Sequence, residues 1–157
     1  MRKFTLLILT LFLSVLTYGQ SSIFQAKDLI EMAKSSYDDF ETFIMPKGFD
    51  YEKTKNYSYF TVVCYKMQGK ILSKYVSETN PRNILQYETN SKTEYLSLKN
   101  QIKKMGYEFI TNKKSLVADE DGSFPIYQIF RKNNTEFQFC ATNQNIYLGY
   151  TVIVEVK

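Results

Sequence analysis

Apolar side chains recur every three or four residues in two stretches of the chain, a spacing typical of helices with one buried face. The first stretch runs from about residue 24 to residue 45. Its apolar stripe is formed by Leu29, Ala33, Tyr37, Phe40 and Ile44. Ser21 and Ser22 offer N-caps for this helix, and Pro46 and Gly48 end it.

The second helix is predicted from a capping box, in which Ser91 caps the first turn and Glu94 reaches back to the cap. Its apolar stripe is formed by Tyr95, Leu98, Ile102 and Met105. Gly106 then supplies the left-handed residue that commonly ends a helix.

Elsewhere apolar and polar residues alternate, which indicates β-strands. Short alternating segments follow each helix, at 49–52 and 107–109. Longer strands are predicted at 57–66, 71–76, 83–89, 125–132, 135–141 and 147–156. Because the short turns Gln68-Gly69 and Asn133-Asn134 separate neighbouring strands, we expect antiparallel hairpins there.

The two helix-to-strand junctions are alike, since six positions recur with a constant offset of 58 residues. Tyr37, Phe40, Ile44, Gly48, Phe49 and Tyr51 correspond to Tyr95, Leu98, Ile102, Gly106, Tyr107 and Phe109. One interpretation is a tandem duplication with halves 22–89 and 91–157; the other is two ordinary helix-to-strand junctions. Either way we expect an α+β fold, in which two α-β-β-β-β units form an antiparallel sheet with two helices packed on one face.

This element order resembles the tandem α-plus-four-strand plan of the β-lactamase inhibitor proteins. It is also similar to the saddle-like sheet of the TATA-box binding proteins, another duplicated fold. The resemblance is one of element order alone. Because no motif of either family is placed on this sequence, no functional residue is carried across.

The first nineteen residues have the layout of a secretory signal peptide. Arg2 and Lys3 precede an apolar run at 4–16, and the small residues Thr17 and Gly19 stand at the exit positions. The run is shorter than the roughly 20 residues that a membrane-spanning helix needs, so a retained anchor is the less favoured alternative. We therefore expect cleavage before Gln20, a single domain at 20–157, release into the periplasm or the exterior, and no membrane insertion afterwards.

Charge and composition exclude several classes of function. Without Arg2 and Lys3, eighteen basic residues face sixteen acidic ones, and no long basic run occurs, which argues against nucleic acid as a partner. The chain has no histidine, and therefore lacks the usual general base and the commonest zinc ligand. No phosphate-binding glycine loop, dinucleotide motif or nucleophile elbow is present. We expect no cofactor and assign no catalytic residue.

Two sets of residues are candidates for a metal site and a disulfide. Asp119 and Asp121 lie in an acidic loop that offers oxygen ligands for calcium, although a solvated turn has the same composition. Cys64 and Cys140 are the only thiols, and an oxidising compartment would permit a bond between them. Their strand phases favour opposite faces of the sheet, which would instead leave both cysteines free.

The predicted strand 57–66 carries the candidate binding residues. Tyr57, Tyr59 and Tyr65 fall on one side of it, and rings on an uncovered sheet face suit protein or sugar partners. The alternative is that tyrosine is simply a common strand residue.

The sequence favours an exported, non-enzymatic binding module with a protein as its partner, or else a glycan. The resemblance to inhibitor proteins points the same way, by analogy only. Two alternatives stay open. One is a small extracytoplasmic hydrolase or sugar-binding protein that uses Asp or Glu, and the other is a structural component of the cell envelope.

Overall fold

The computed structural model describes residues 23–77, 83–116, 122, 124–141 and 149–157. The helices are α1 (Ala26–Lys34), α2 (Tyr37–Ile44) and α3 (Lys92–Lys104), and a 3₁₀ turn (Met45–Lys47) follows α2. The strands are β1 (Asp50–Asn56), β2 (Thr61–Met67), β3 (Lys70–Val76), β4 (Asn83–Thr89), β5 (Glu108–Lys114), β6 (Ile126–Lys132), β7 (Thr135–Ala141) and β8 (Tyr150–Val156). The predicted signal peptide, 1–19, lies outside the described residues.

The first predicted helix is in fact two helices. A new helix begins at Tyr37 because the Ser36 hydroxyl accepts a hydrogen bond from the backbone N–H of Asp39 at 3.1 Å. Such a cap satisfies an N–H group that has no partner within the helix. Continuous apolar periodicity concealed this break, so the prediction of one helix over 24–45 is wrong.

The second predicted helix is confirmed as α3. The Ser91 hydroxyl accepts a hydrogen bond from the backbone N–H of Glu94 at 3.2 Å, as the capping box predicts. Leu98 and Ile102 are fully buried, and Gly106 has the left-handed φ of 83°. The predicted stripe therefore faces the core.

The eight strands form one antiparallel sheet in the order β1-β2-β3-β4-β8-β7-β6-β5. This confirms the mixed α+β class and the antiparallel sheet. Each half of the chain contributes four consecutive neighbours, and the two halves meet where β4 pairs with β8. The predicted bounds of β4 and β7 are those observed, whereas β2 begins at Thr61 instead of residue 57.

Alternate side chains divide the sheet into two faces. The helix-side face receives hydrogen bonds and ring contacts from the helices. Its middle row across six strands is Tyr65, Leu72, Tyr87, Val152, Phe139 and Gln128. The middle row of the other face, called the open face below, is Cys64, Ser73, Gln86, Ile153, Gln138 and Ile129.

The hydrophobic core lies between the helices and the helix-side face. Phe24 at the start of the described chain packs edge-on against Tyr87, with ring centroids 5.4 Å apart. Phe40 of α2 makes a similar contact with Tyr65. These large fully buried rings fix the helix-side face inward and leave the polar alternate residues on the open face.

Irregular features recur at the offset of 58 residues. The pairing of β1 with β2 shifts between Tyr51 and Lys53, and that of β5 with β6 shifts between Phe109 and Thr111. Gly48 and Gly106 both have left-handed φ angles, 88° and 83°. The following N–H groups, of Phe49 and Tyr107, donate to the carbonyls of Ile44 and Ile102. The backbones of the two junctions thus share the same local geometry.

Candidate binding face

Tyr65, one of the three predicted binding tyrosines, is buried on the helix-side face and is 0% exposed. Its hydroxyl donates to Glu41 Oε1 at 2.8 Å and lies 2.5 Å from the hydroxyl of Tyr37. Burial, with these hydrogen bonds adding to it, raises the pKa of Tyr65 well above its ordinary value. The prediction that Tyr65 lines an exposed surface is therefore wrong, because its face of β2 packs against α2.

Tyr57 and Tyr59 lie in the turn between β1 and β2. The N–H of Tyr57 donates to the carbonyl of Phe60 at 2.9 Å and closes this turn. Tyr57 is 52% exposed and Tyr59 is 79% exposed. The three predicted tyrosines thus do not share one side of one strand, although Tyr57 remains accessible.

An aromatic cluster of different composition lies at one end of the open face. It consists of Tyr57, Phe60 and Tyr75. The Tyr57 and Phe60 rings stack with centroids 4.7 Å apart, and the Phe60 and Tyr75 rings are 5.7 Å apart. Rings that are partly exposed and held by one another offer contact area at little cost in side-chain entropy.

A short chain of hydrogen bonds leads from this aromatic cluster to a carboxylate. The Tyr75 hydroxyl donates to Gln86 Oε1 at 3.2 Å, and Gln86 Nε2 donates to Glu88 Oε1 at 2.9 Å. Burial raises the pKa of Glu88, while the hydrogen bond from Gln86 and the charges of Lys53 and Lys55 act in the opposite direction. Glu88 is thus a partly desolvated acceptor beside an aromatic surface.

A second polar group lies on the β6–β8 side of the open face. Arg131 Nη2 contacts Glu136 Oε2 at 2.6 Å, and Gln138 Nε2 donates to Glu136 Oε1 at 2.9 Å. Glu136 is paired across the strands with Glu155, which is 9% exposed. Two adjacent carboxylates and one arginine leave this part of the face acidic, as Glu88 does on β4.

Cys64 and Cys140 are both free and both buried on the open face. The expectation that they lie on opposite faces is wrong, but the conclusion against a disulfide holds for another reason. β2 and β7 are separated by β3, β4 and β8, which places the cysteines about 19 Å apart at ~4.8 Å per strand. A disulfide requires Cα atoms within about 7 Å of each other.

The candidate calcium ligands Asp119 and Asp121 lie outside the described residues. Within the described ranges, no group of three or more Cys, Asp or Glu side chains is arranged to hold a metal ion. None of the helices in this part of the chain is both long and apolar enough to cross a membrane.

Sequence reasoning missed Phe60, Tyr75, Gln86 and Glu88, although a signal for the last three was present. The Gln68-Gly69 hairpin sets Met67 opposite Lys70, which in turn sets Tyr65 opposite Leu72. Continued to β4, this register places Tyr75, Gln86 and Glu88 on the face opposite to Tyr65. Tracing the hairpin registers would have identified the open face.

Comparison with protein-family models, with curated proteins and with solved structures found no match. The function of the chain is therefore inferred from the residues of the open face.

Proposed function

We propose that this chain is an exported, non-enzymatic binding module that holds a partner protein on its open face. The observation that carries this proposal is the aromatic cluster Tyr57, Phe60 and Tyr75, joined by hydrogen bonds to Glu88. Aromatic anchors beside a few oriented polar groups are typical of the centres of protein interfaces.

The size of the open face supports a protein as the partner. Eight strands of seven residues span roughly 34 by 23 Å, which gives about 800 Å² at ordinary strand spacing. A standard interface buries about 800 Å² on each partner. A small ligand would cover only a fraction of this area.

The charge of the open face favours a partner that contributes a basic side chain. Glu88 receives a hydrogen bond from the neutral amide of Gln86, and its carboxyl is already partly desolvated. An arginine or lysine placed over it, with apolar neighbours against the aromatic cluster, would complement both features. We propose a partner surface of that composition.

The finer architecture belongs to the same proposal. We infer that the chain arose by duplication and that the helices group on one face, which leaves the other for the partner. The shared bulge position, left-handed glycine and N–H to carbonyl bond at the offset of 58 residues support this inference. The leader sequence supports binding outside the cytoplasm.

Site-specific photo-crosslinking in the natural host tests the proposal. A photoreactive side chain at Tyr57 would lie on the open face, while one at Leu96 would lie on α3 with a similar exposure of 43%. We expect one protein to be crosslinked from position 57 and not from position 96, and mass spectrometry identifies it. Crosslinking from position 96, or from neither position, would contradict the proposal.

A further inference from the structure

A pocket of about 340 Å³ lies on the helix side of the sheet, between α3 and strands β5, β6 and β7. The residues that form it include Tyr95, Lys99, Asn112, Ile126, Gln128 and Phe139. The volume is in the range of small-molecule sites, and the mixture of apolar walls with a few polar groups is typical of them. The pocket is separate from the open face and does not depend on the function proposed for it.

Lys99 is the only charged side chain in the lining of this pocket. Its ammonium contacts the side-chain oxygen of Gln128 and lies 5.9 Å from the centroid of the Tyr95 ring. Among the described residues, no carboxylate forms an ion pair with it. Burial lowers the pKa of Lys99, and the nearby charge of Lys103 lowers it further. The pocket therefore contains a cation without an anionic partner in the described chain.

The corresponding place in the first half of the chain is built differently. At the offset of 58 residues, Tyr37 and Glu41 stand where Tyr95 and Lys99 stand in the second half. There the Glu41 carboxylate accepts the hydrogen bond from Tyr65. Phe130, which occupies the position of Tyr65 in the β5–β6 pairing, has no hydroxyl to offer. A closed hydrogen-bonded cluster in one half is thus matched by an open, cationic pocket in the other.

We propose that this pocket binds a small monovalent carboxylate that carries an apolar body. The carboxylate would pair with Lys99 and accept hydrogen bonds from the amides of Gln128 and Asn112. The apolar body would lie against Phe139 and Ile126. One lysine balances one negative charge, which favours a carboxylate over a doubly charged phosphate.

Benzoate and its uncharged isostere benzamide are suitable probes. We would titrate each into the full ¹⁵N-labelled chain and follow the side-chain amide resonances of Asn112 and Gln128 by NMR. We expect benzoate to bind with a Kd of about 1 mM and benzamide at least about tenfold more weakly. The pair of probes differs in charge and not in shape, so the comparison isolates the role of the cation.

Two variants of α3 complete the test. Lys99→Met should weaken benzoate binding by about tenfold or more, while Lys103→Met, which removes a lysine one turn away, should change it by less than about twofold. The proposal is overturned if benzoate gives no saturable shift up to about 50 mM, or if benzamide binds equally well. An equal loss in both variants would also overturn it. The probe comparison on the unchanged chain decides the matter even if Lys99→Met fails to fold.

Discussion

The hydroxyl of Tyr65 shows how one side chain fixes the orientation of a strand. It is buried, yet its hydrogen bond to Glu41 and its contact with Tyr37 satisfy it. Turning β2 over would expose this ring and bury Lys66, which now lies on the open face. The identity of the alternate residues, more than the number of tyrosines, therefore determines which face is buried.

Tyr65→Phe should lower the free energy of unfolding by about 1–3 kcal/mol, because it leaves the partly buried Glu41 and Tyr37 groups without their shared partner. Tyr59→Phe is the matched control, since Tyr59 is 79% exposed, and should cost less than about 0.5 kcal/mol. Urea denaturation measures both. A larger loss for Tyr59→Phe would mean that the faces of β2 are assigned the wrong way round.

Lys74 is a second buried polar residue whose environment has a measurable effect. Its ammonium donates to the carbonyls of Met32 and Ala33, at 2.7 and 3.1 Å, near the end of α1. Burial lowers the pKa of Lys74 to about 8. The unfolded chain holds this proton up to about pH 10.4, so it binds more protons than the folded chain between these values. The stability that Lys74 affects must therefore rise with pH in this window.

From about pH 7.5 to about pH 9.5, below the range where unfolded tyrosines ionise, the free energy of unfolding should rise by about 1–2 kcal/mol. Lys74→Met should remove most of this rise, whereas Lys103→Met should leave it in place. Urea denaturation at the two pH values gives the answer. A rise that persists undiminished in Lys74→Met would show that the ammonium is not desolvated in the folded chain.

At the scale of elements, the sequence predicted those whose ends carry their own chemistry. α3 has a capping box and a terminal glycine, and β7 follows a hairpin turn at Asn133, which has a left-handed φ of 52°. The break between α1 and α2 was missed because apolar periodicity continues through it. The start of β2 was placed too early because Tyr57 and Tyr59 have high strand propensity, although tertiary pairing begins only at Thr61.

The binding face was harder to predict than the strands that form it. Its residues come from both halves of the chain and meet only because β4 pairs with β8. No local pattern specifies a pairing between strands that lie more than sixty residues apart. The sequence therefore predicted the elements and the class of fold, but not the cluster of Tyr75, Gln86 and Glu88.

Ile102→Ala tests the packing of α3 on the sheet. Ile102 is fully buried, so removing its methyl groups should cost about 2–5 kcal/mol of unfolding free energy. Leu96→Ala on the same helix, where the side chain is 43% exposed, should cost less than about 1 kcal/mol. Thermal or urea denaturation compares the two. Similar losses would contradict an α3 that turns Ile102 toward the sheet and Leu96 toward solvent.

At the scale of the whole molecule, the fold separates two roles. The helix-side face supplies the apolar core, and its polar groups, such as Thr89 and Glu94, are hydrogen-bonded within the chain. The open face has a polar middle row that includes Gln86 and Gln138. If the proposed function is correct, the partner is recognised by charge and aromatic surface on a face that contributes less to the core.

The affinity of the crosslinked partner for a Glu88→Gln variant tests recognition by the open face. The substitution keeps the shape and the hydrogen bond to Gln86 but removes a partly desolvated charge, so stability should stay within about 0.5 kcal/mol or rise. We expect Kd, measured by calorimetry, to increase by about tenfold or more for Glu88→Gln. Glu108→Gln, at the exposed edge of the same face, should change it by less than about threefold. Unchanged affinity in Glu88→Gln would contradict the proposal that the open face recognises a basic partner surface.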